Sequence, residues 1–318
     1  MPKHIYIYSP SGAVRDKAAF KRGVARLEKL GHQVEIDPAA LASSQRFAGD
    51  DDTRLAAIHR AADSGADVAM MSRGGYGLTR ILPDIRYKKI AKAIQSGMHF
   101  VGISDFTAFQ LAVLAQTGGV TWAGPALCEG FGVALGQLPD DIMEACFDDM
   151  LSGQGEGAGW KQHKEATTKN RVASAGGERA ESQFGVENSV LWGGNLTVLA
   201  SLLGTPYFPS VKGGILFLED VAEHPYRIER TLTQLLHAGV LARQKAIVLG
   251  QFTDYQLTAH DRGFKLQTVI DWLRTKVKTP VLTNLPYGHV ATKVLLPVGA
   301  KTDLVVQGRD VLLAWGHL

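Results

Sequence analysis

The sequence predicts an α/β protein of two units, the first built on a parallel sheet with helices on both faces. Three observations lead there. Short apolar runs alternate with amphipathic stretches through the first 150 residues, as in strands joined by crossover helices. Glycine-bearing turns follow several of the strand-like runs. A polar, glycine-rich stretch from about Ser152 then breaks the pattern, and strand-like runs are denser beyond it. In such sheets the functional groups sit at the carboxyl ends of the strands.

Taken in order, HIYIYSP reads as a strand opening into a loop. KAAFKRGVARLEKLG sets Phe20, Val24 and Leu27 at helical spacing and ends on Gly31. VEID is a short strand, DTRLAAIHRAADSG a helix, and DVAMMSRGG a strand entering a glycine loop. MHFVGIS is another strand, and DFTAFQLAVLAQTGG a nearly all-apolar helix closing on glycines. SGQGEGAGWKQHKEATTKNRVASAGGERAESQFG lacks apolar periodicity and reads as a linker or mobile loop. The expected division is residues 1–150, a linker at 151–188, and a second unit at 189–318. There, NLTVLASLLG and PYRIERTLTQLLHAGV read as helices, the latter with Ile228, Leu232, Leu235 and Leu236 on one face. SVLWGGN marks the return of order; GGILFLEDV, KAIVLGQF, TPVLTNLPYG and KVLLPVGAKTDLVV supply strands.

Composition narrows the function classes. At 45% hydrophobic and 20% charged over 318 residues, the chain is ordinary for a globular protein with a large core. A net charge of +3, with no basic stripe interleaved with aromatics, argues against nucleic acid as a partner. No apolar run is long enough to span a membrane, and the first apolar run is too short for a signal peptide. The only cysteines, Cys128 and Cys146, suit buried thiols in a reducing cytoplasm. No Cys/His set has zinc spacing and no His-Glu-x-x-His occurs, so neither a metal nor another cofactor is expected.

Four strand-end features could carry chemistry. Gly102-Ile103-Ser104-Asp105 stands between a strand and a helix, the setting of a nucleophile elbow, although Phe106 occupies the last glycine position of the usual motif. On this feature alone, a serine more often merely caps the helix that follows. Arg73-Gly74-Gly75-Tyr76-Gly77 is a loop whose free N–H groups can cradle an anion, or simply a tight turn. The arginine beside it favours carboxylate recognition. In Leu218-Glu219-Asp220, Glu219 adjoins the apolar run and is the better held carboxylate, while Asp220 reads as a turn residue. His289, after Gly288 on a strand-exit loop, is the histidine best placed to cross a cleft, with His224 its competitor. Ser104, Glu219 and His289 would together make a triad: nucleophile, orienting carboxylate and general base.

At these residues the chain resembles the LD-carboxypeptidases (muramoyltetrapeptide carboxypeptidases, serine peptidase family S66). The resemblance rests on IYSPSGAV, RGGYGLTRILPDI, GISDFTAFQLAVLA, TWAGPAL, LWGGNLTVLASLLGTPY, GILFLEDVAEHPYRIER, KAIVLGQF and PYGH, in order over nearly the whole chain. It implies a flavodoxin-like parallel-sheet amino-terminal domain carrying Ser104 and a smaller swivelling β/α domain carrying Glu219 and His289. It also implies oxyanion donors at the backbone N–H groups of Gly75 and Asp105, and no metal. The implied substrate is murein tetrapeptide, cut after the L-centre of diaminopimelate or lysine to release D-alanine in cell-wall recycling. A cytoplasmic homodimer is implied as well. Arg73 and Tyr76, with Asn195 behind them, are the candidates for gripping substrate; Asn195 could instead cap the following helix.

Two other readings compete. Relatives of this fold resemble microcin C-type self-immunity peptidases, which cleave aminoacyl-nucleotide analogues, and Trp160 with the long polar stretch leaves that option open. A non-catalytic two-lobed binding protein is the second, disfavoured because all three triad residue types stand at strand ends.

Overall fold

The computed structural model describes residues 2–163 and 183–317. The first sheet has the order β11-β5-β4-β3-β1-β2, with β11 (Leu296–Val298) at its edge. Its parallel strands are β1 (His4–Tyr8), β2 (Gln33–Ile36), β3 (Val68–Met71), β4 (His99–Gly102) and β5 (Thr121–Ala123). Without β11 the order is 2-1-3-4-5, the flavodoxin-like arrangement.

The two-residue period of the strands explains why both faces are covered. Ile5 and Ile7 of β1 enter a cluster with Phe20 and Leu27 of α1 (Lys17–Lys29), as do Val68 and Met70 of β3. Tyr6, Tyr8, Ala69 and Met71 point to the opposite cluster, with Ala57 and Ile58 of α2 (Asp51–Asp63). Both helices start on an aspartate cap: Asp16 accepts from the Ala18 and Ala19 amides, and Asp50 from Thr53. The short α3 (Leu78–Ile81) follows the glycine loop, and α4 (Tyr87–Gln95) leads to β4. Next comes α5 (Phe106–Thr117), buried without a break from Phe106 to Val113, because it packs between the first sheet and the second. Beyond β5, α6 (Asp141–Ser152) covers the face shared with α1.

The second sheet has the order β10-β9-β8-β7-β12-β13-β6. Strands β7 (Gln183–Asn195), β8 (Ile215–Val221), β9 (Ala246–Thr253) and β10 (Val281–Leu282) run parallel. Strands β12 (Lys301–Gln307), β13 (Asp310–Ala314) and β6 (Gly157–Lys161) extend it antiparallel. Helices α7 (Leu196–Ser201), α8 (Pro225–His237) and α9 (Leu266–Lys276) belong to this half. Among the described residues no helix is long and apolar enough to cross a membrane.

Two expectations need correction. The segment expected as linker contains β6, and β7 begins within it at Gln183. Ala158 and Trp160 face inward while Gly157, Gly159 and Lys161 face out, an alternation that glycines conceal because they carry no polarity signal. The rest of that polar stretch, residues 164–182, lies outside the described residues. KVLLPVGAKTDLVV is also not a run within one domain. At Gly299 (φ +101°) it divides into β11 (Leu296–Val298), antiparallel to β5 in the first sheet, and β12 in the second.

Candidate active site

Ser104 follows β4 by two residues and has φ +66°, a left-handed conformation costing roughly 1–2 kcal/mol in a residue with a side chain. The cap position of α5 falls on Asp105, and no side chain caps the helix, so Ser104 does not serve as the cap. Phe106, where the usual elbow has glycine, is buried and stacks on Phe109 at 4.9 Å between centroids. The close approach is made at Gly102 instead, where a Cβ would lie 2.5 Å from the Phe106 ring.

The Arg73–Gly77 loop presses on this serine. A Cβ on Gly74 would come 2.7 Å from Ser104 Cβ and 2.9 Å from its Oγ. Gly75 (φ +124°) and Gly77 (φ +141°) adopt backbone conformations that favour glycine. Beneath the loop, Asp105 Oδ2 accepts from Ser11 Oγ at 2.5 Å and from the Leu78 amide at 3.0 Å. Burial raises the Asp105 carboxyl above its ordinary pKa, and those two hydrogen bonds offset part of the rise. The fully buried Arg54, paired with Asp51, donates to the Gly77 carbonyl at 2.8 Å. Arg73 donates to the Ala13 carbonyl at 3.4 Å and lies 3.7 Å from Glu129 Oε1. Tyr76 is exposed, its ring 5.8 Å from that of Phe47.

Glu219 is fully buried near the carboxyl end of β8. Gly288 (φ +145°) brings the next loop against it, where a Cβ would lie 3.4 Å from Glu219 Cβ. His289 can then donate from Nδ1 to Glu219 Oε2 at 2.8 Å, which leaves Nε2 as the free acceptor. Burial draws the imidazole pKa down, but the hydrogen bond and charge of Glu219 outweigh it, and the net shift is upward from 6.5. Asn195 both caps α7, accepting from the Val198 amide at 3.1 Å, and donates to Glu219 Oε1 at 3.2 Å and Asp220 Oδ1 at 2.9 Å. Asp220 is not the turn residue expected. It is buried within β8 and accepts from the Thr197 amide and hydroxyl, because the start of α7 packs on that strand end. His224 caps α8 and pairs with Asp261 at 3.2 Å, away from Glu219.

The two halves meet behind Ser104. The Asn195 amide donates to Thr107 Oγ1 at 3.0 Å, and a Cβ on Gly194 would come 2.5 Å from that oxygen. Among the described residues no hydrogen bond joins Ser104 to His289. Two charged residues that sequence reasoning missed complete the surroundings. Glu129, its side chain partly exposed, lies within electrostatic reach of Arg73, His289 and Lys293; the surrounding protein raises its carboxyl pKa by desolvation and these cations oppose the rise. Lys293, four residues after His289, is 4% exposed. Burial lowers its ammonium pKa, and Glu129, Glu219 and Asp140 work against that. A lysine heading the apolar run VLLPV reads as the solvated edge of a strand, so nothing in the sequence marked it.

A buried carboxylate–imidazole pair, a strained serine and a glycine loop at one junction is equipment for acyl transfer. Known proteins bear on which kind. The sequence profile of the LD-carboxypeptidase N-terminal domain matches residues 5–124, and that of the C-terminal domain matches residues 188–304. The murein tetrapeptide carboxypeptidase of Pseudomonas aeruginosa is 30% identical over 93% of this chain and 91% of its own length. The crystal structure of muramoyltetrapeptide carboxypeptidase from Oxalobacter formigenes superposes with a TM-score of 0.83 at 36% identity, covering 98% of each chain. The microcin C7 self-immunity protein MccF shares the fold, with a TM-score of 0.82 at 23% identity over 100% of this chain and 97% of its own. The chain therefore belongs to the LD-carboxypeptidases of peptidase family S66, serine-type carboxypeptidases with this two-domain fold.

Proposed function

We propose that the enzyme releases the terminal D-alanine of murein tetrapeptide, cutting after the L-centre of diaminopimelate or lysine, through a Ser104–His289–Glu219 triad. One observation carries the triad: His289 Nδ1 lies 2.8 Å from a wholly buried carboxylate, and the strand end beside that carboxylate is hydrogen-bonded to the helix that Ser104 leads into. The substrate rests on the relatives from Pseudomonas aeruginosa and Oxalobacter formigenes.

In this mechanism Ser104 Oγ attacks the carbonyl carbon while His289 Nε2 takes the hydroxyl proton. Glu219 holds the tautomer and steadies the imidazolium, and Asn195 holds Glu219. The amides of Gly75 and Asp105 receive the oxyanion, which suits a loop already packed against the serine. Collapse passes the proton to the departing amine and leaves an acyl-enzyme, and water attacks the ester through the same base. In sites of this kind the serine–histidine bond is commonly long before substrate binds. Arg73 is the proposed grip on a substrate carboxylate, with Tyr76 at the exposed rim. The wider setting, a cytoplasmic homodimer in cell-wall recycling, comes from the family resemblance alone.

The test is to incubate the enzyme and its Ser104→Ala variant with L-Ala-D-Glu-diaminopimelate-D-Ala and follow free D-alanine by mass spectrometry. Release by the wild type alone is expected. Release by both would remove Ser104 as nucleophile, and release by neither would turn attention to an aminoacyl sulfamoyl adenosine.

A further inference from the structure

A carboxypeptidase must recognise a chain end as well as a peptide bond. The leaving nitrogen and the terminal carboxylate share one Cα, so the carboxylate carbon lies only about 2.5 Å from that nitrogen. His289 must reach the same nitrogen to protonate it, at about 3 Å. Whatever cation holds the carboxylate therefore has to stand beside His289.

Arg73 and Lys293 both act electrostatically on Glu129, and Lys293 acts on His289 as well. Arg73, the proposed grip on another of the tetrapeptide's carboxylates, is already engaged, with Glu129 Oε1 at 3.7 Å and the Ala13 carbonyl at 3.4 Å. Lys293 is not: among the described residues its ammonium makes no hydrogen bond or ion pair, although the residue is only 4% exposed. Its field reaches His289 and Glu219 on its own side and Glu129 and Asp140 from the first domain's side, yet none of these carboxylates comes within pairing distance. The backbone holds the lysine there firmly. Thr292, beside it, donates to Asp140 Oδ2 at 2.5 Å, and Leu296–Val298 is stitched to β5 three residues later. The stem of the lysine is buried while its ammonium keeps contact with solvent, so an arriving anion would replace water at a positive charge that no protein group pairs.

We propose that Lys293 binds the free α-carboxylate of the substrate's C-terminal residue and so confines cleavage to the last peptide bond. The inference rests on the reading of the enzyme as a tetrapeptide LD-carboxypeptidase and assigns the group that recognises its chain end. The carboxylate brings the missing counter-charge to the ammonium at the moment its own residue is positioned to leave. A C-terminal carboxamide has the same shape and lacks the charge.

The experiment compares the tetrapeptide with its C-terminal carboxamide, following D-alanine and D-alaninamide, for wild type, Lys293→Met and Lys293→Gln. The rate of Ser104 labelling by a fluorophosphonate reports independently whether the triad is assembled. Wild type should favour the acid by about 100-fold in kcat/KM, the scale of a charge-assisted hydrogen bond. Both variants should bring that ratio below about tenfold, by loss on the acid alone, with labelling still proceeding. Equal losses on acid and amide, or an unchanged ratio in a variant that still labels, would overturn the role of Lys293. If wild type labels but cleaves neither peptide, the tetrapeptide reading itself falls and this inference falls with it.

Discussion

Thr107 Oγ1, in the first turn of the helix that follows Ser104, accepts a 3.0 Å hydrogen bond from the backbone amide of Asn195 at the strand end beside Glu219. The nucleophile's helix and the strand next to the carboxylate's are thus tied at a buried oxygen. Thr107→Val keeps the shape and removes the acceptor, leaving a buried N–H unpaired at a cost of about 1–3 kcal/mol. Urea unfolding should report that loss, and kcat should fall by at least about tenfold as the two halves lose register. Thr107→Ser should restore both. A valine variant with full kcat would mean that this tie does not set the triad.

Glu219→Gln tests the carboxylate. Two donors, His289 Nδ1–H and Asn195 Nδ2–H, converge on its two oxygens, and an amide offers only one. The substitution should lower kcat by on the order of 10⁴-fold, the loss seen when a triad carboxylate becomes an amide. The pH profile adds a signature. Glu219 raises the His289 pKa, and the base must be neutral, so the acid limb of kcat/KM should have its midpoint above 6.5. In the glutamine variant that midpoint should move down. Stability follows the same linkage: the contribution of a raised histidine is complete below its unfolded value and is lost as pH climbs through the folded one. The variant's stability deficit should therefore be larger at pH 6 than at pH 9.

Much of this site was legible in the sequence because strand ends are marked by local pattern. The run MHFVGIS entering DFTAFQL announced an elbow at Ser104, and an apolar strand ending on Glu219 announced a buried carboxylate. Asp220 was misread because a carboxylate one residue past an apolar run looks the same whether solvent or another helix's N-terminus waits beyond it. Long-range packing decided that, through Asn195 and Thr197. Lys293 and β11 escaped for a related reason. Pairing of Leu296–Val298 with β5 in the other sheet is a contact across the fold, and that crossing is what buries a lysine otherwise typical of a strand edge. Trp160, read as an aromatic available to a nucleobase, is instead 9% exposed and donates from Nε1 to the Thr283 carbonyl at 3.0 Å.

Asp105 fastens the glycine loop from below, so its side chain should matter apart from its amide. Asp105→Ala strands the Ser11 hydroxyl and the Leu78 N–H, a loss of roughly 2–5 kcal/mol measurable by urea unfolding. Asp105→Asn keeps an acceptor and should lose less. Burial raises the carboxyl above 3.8, so the wild type loses stability as pH rises and the aspartate ionises. An asparagine escapes that loss. Its deficit against wild type should therefore shrink from pH 4 to pH 7, and a deficit that grows instead would show the anion to be the stabilising form.

The sharpest geometric test is Gly74→Ala. Gly74 does not have a positive φ, so alanine is acceptable to its backbone, and the whole effect must come from contact. The added methyl would stand 2.7 Å from Ser104 Cβ and 2.9 Å from Oγ. The loop has little freedom to retreat, since the Gly12 amide holds the Gly74 carbonyl at 3.3 Å and Asp105 holds Leu78. Overpacking of this kind costs about 1–3 kcal/mol, which urea unfolding would register as a modest shift. Catalysis is far more sensitive, because a displacement of about 1 Å at the reacting atoms costs on the order of 100-fold. The expected outcome is a folded enzyme whose kcat/KM falls by at least that factor and whose Ser104 labels slowly with a fluorophosphonate. A variant with near-wild-type kinetics would mean that the loop stands clear of the reacting serine, and Gly75 would then lose its place as an oxyanion donor.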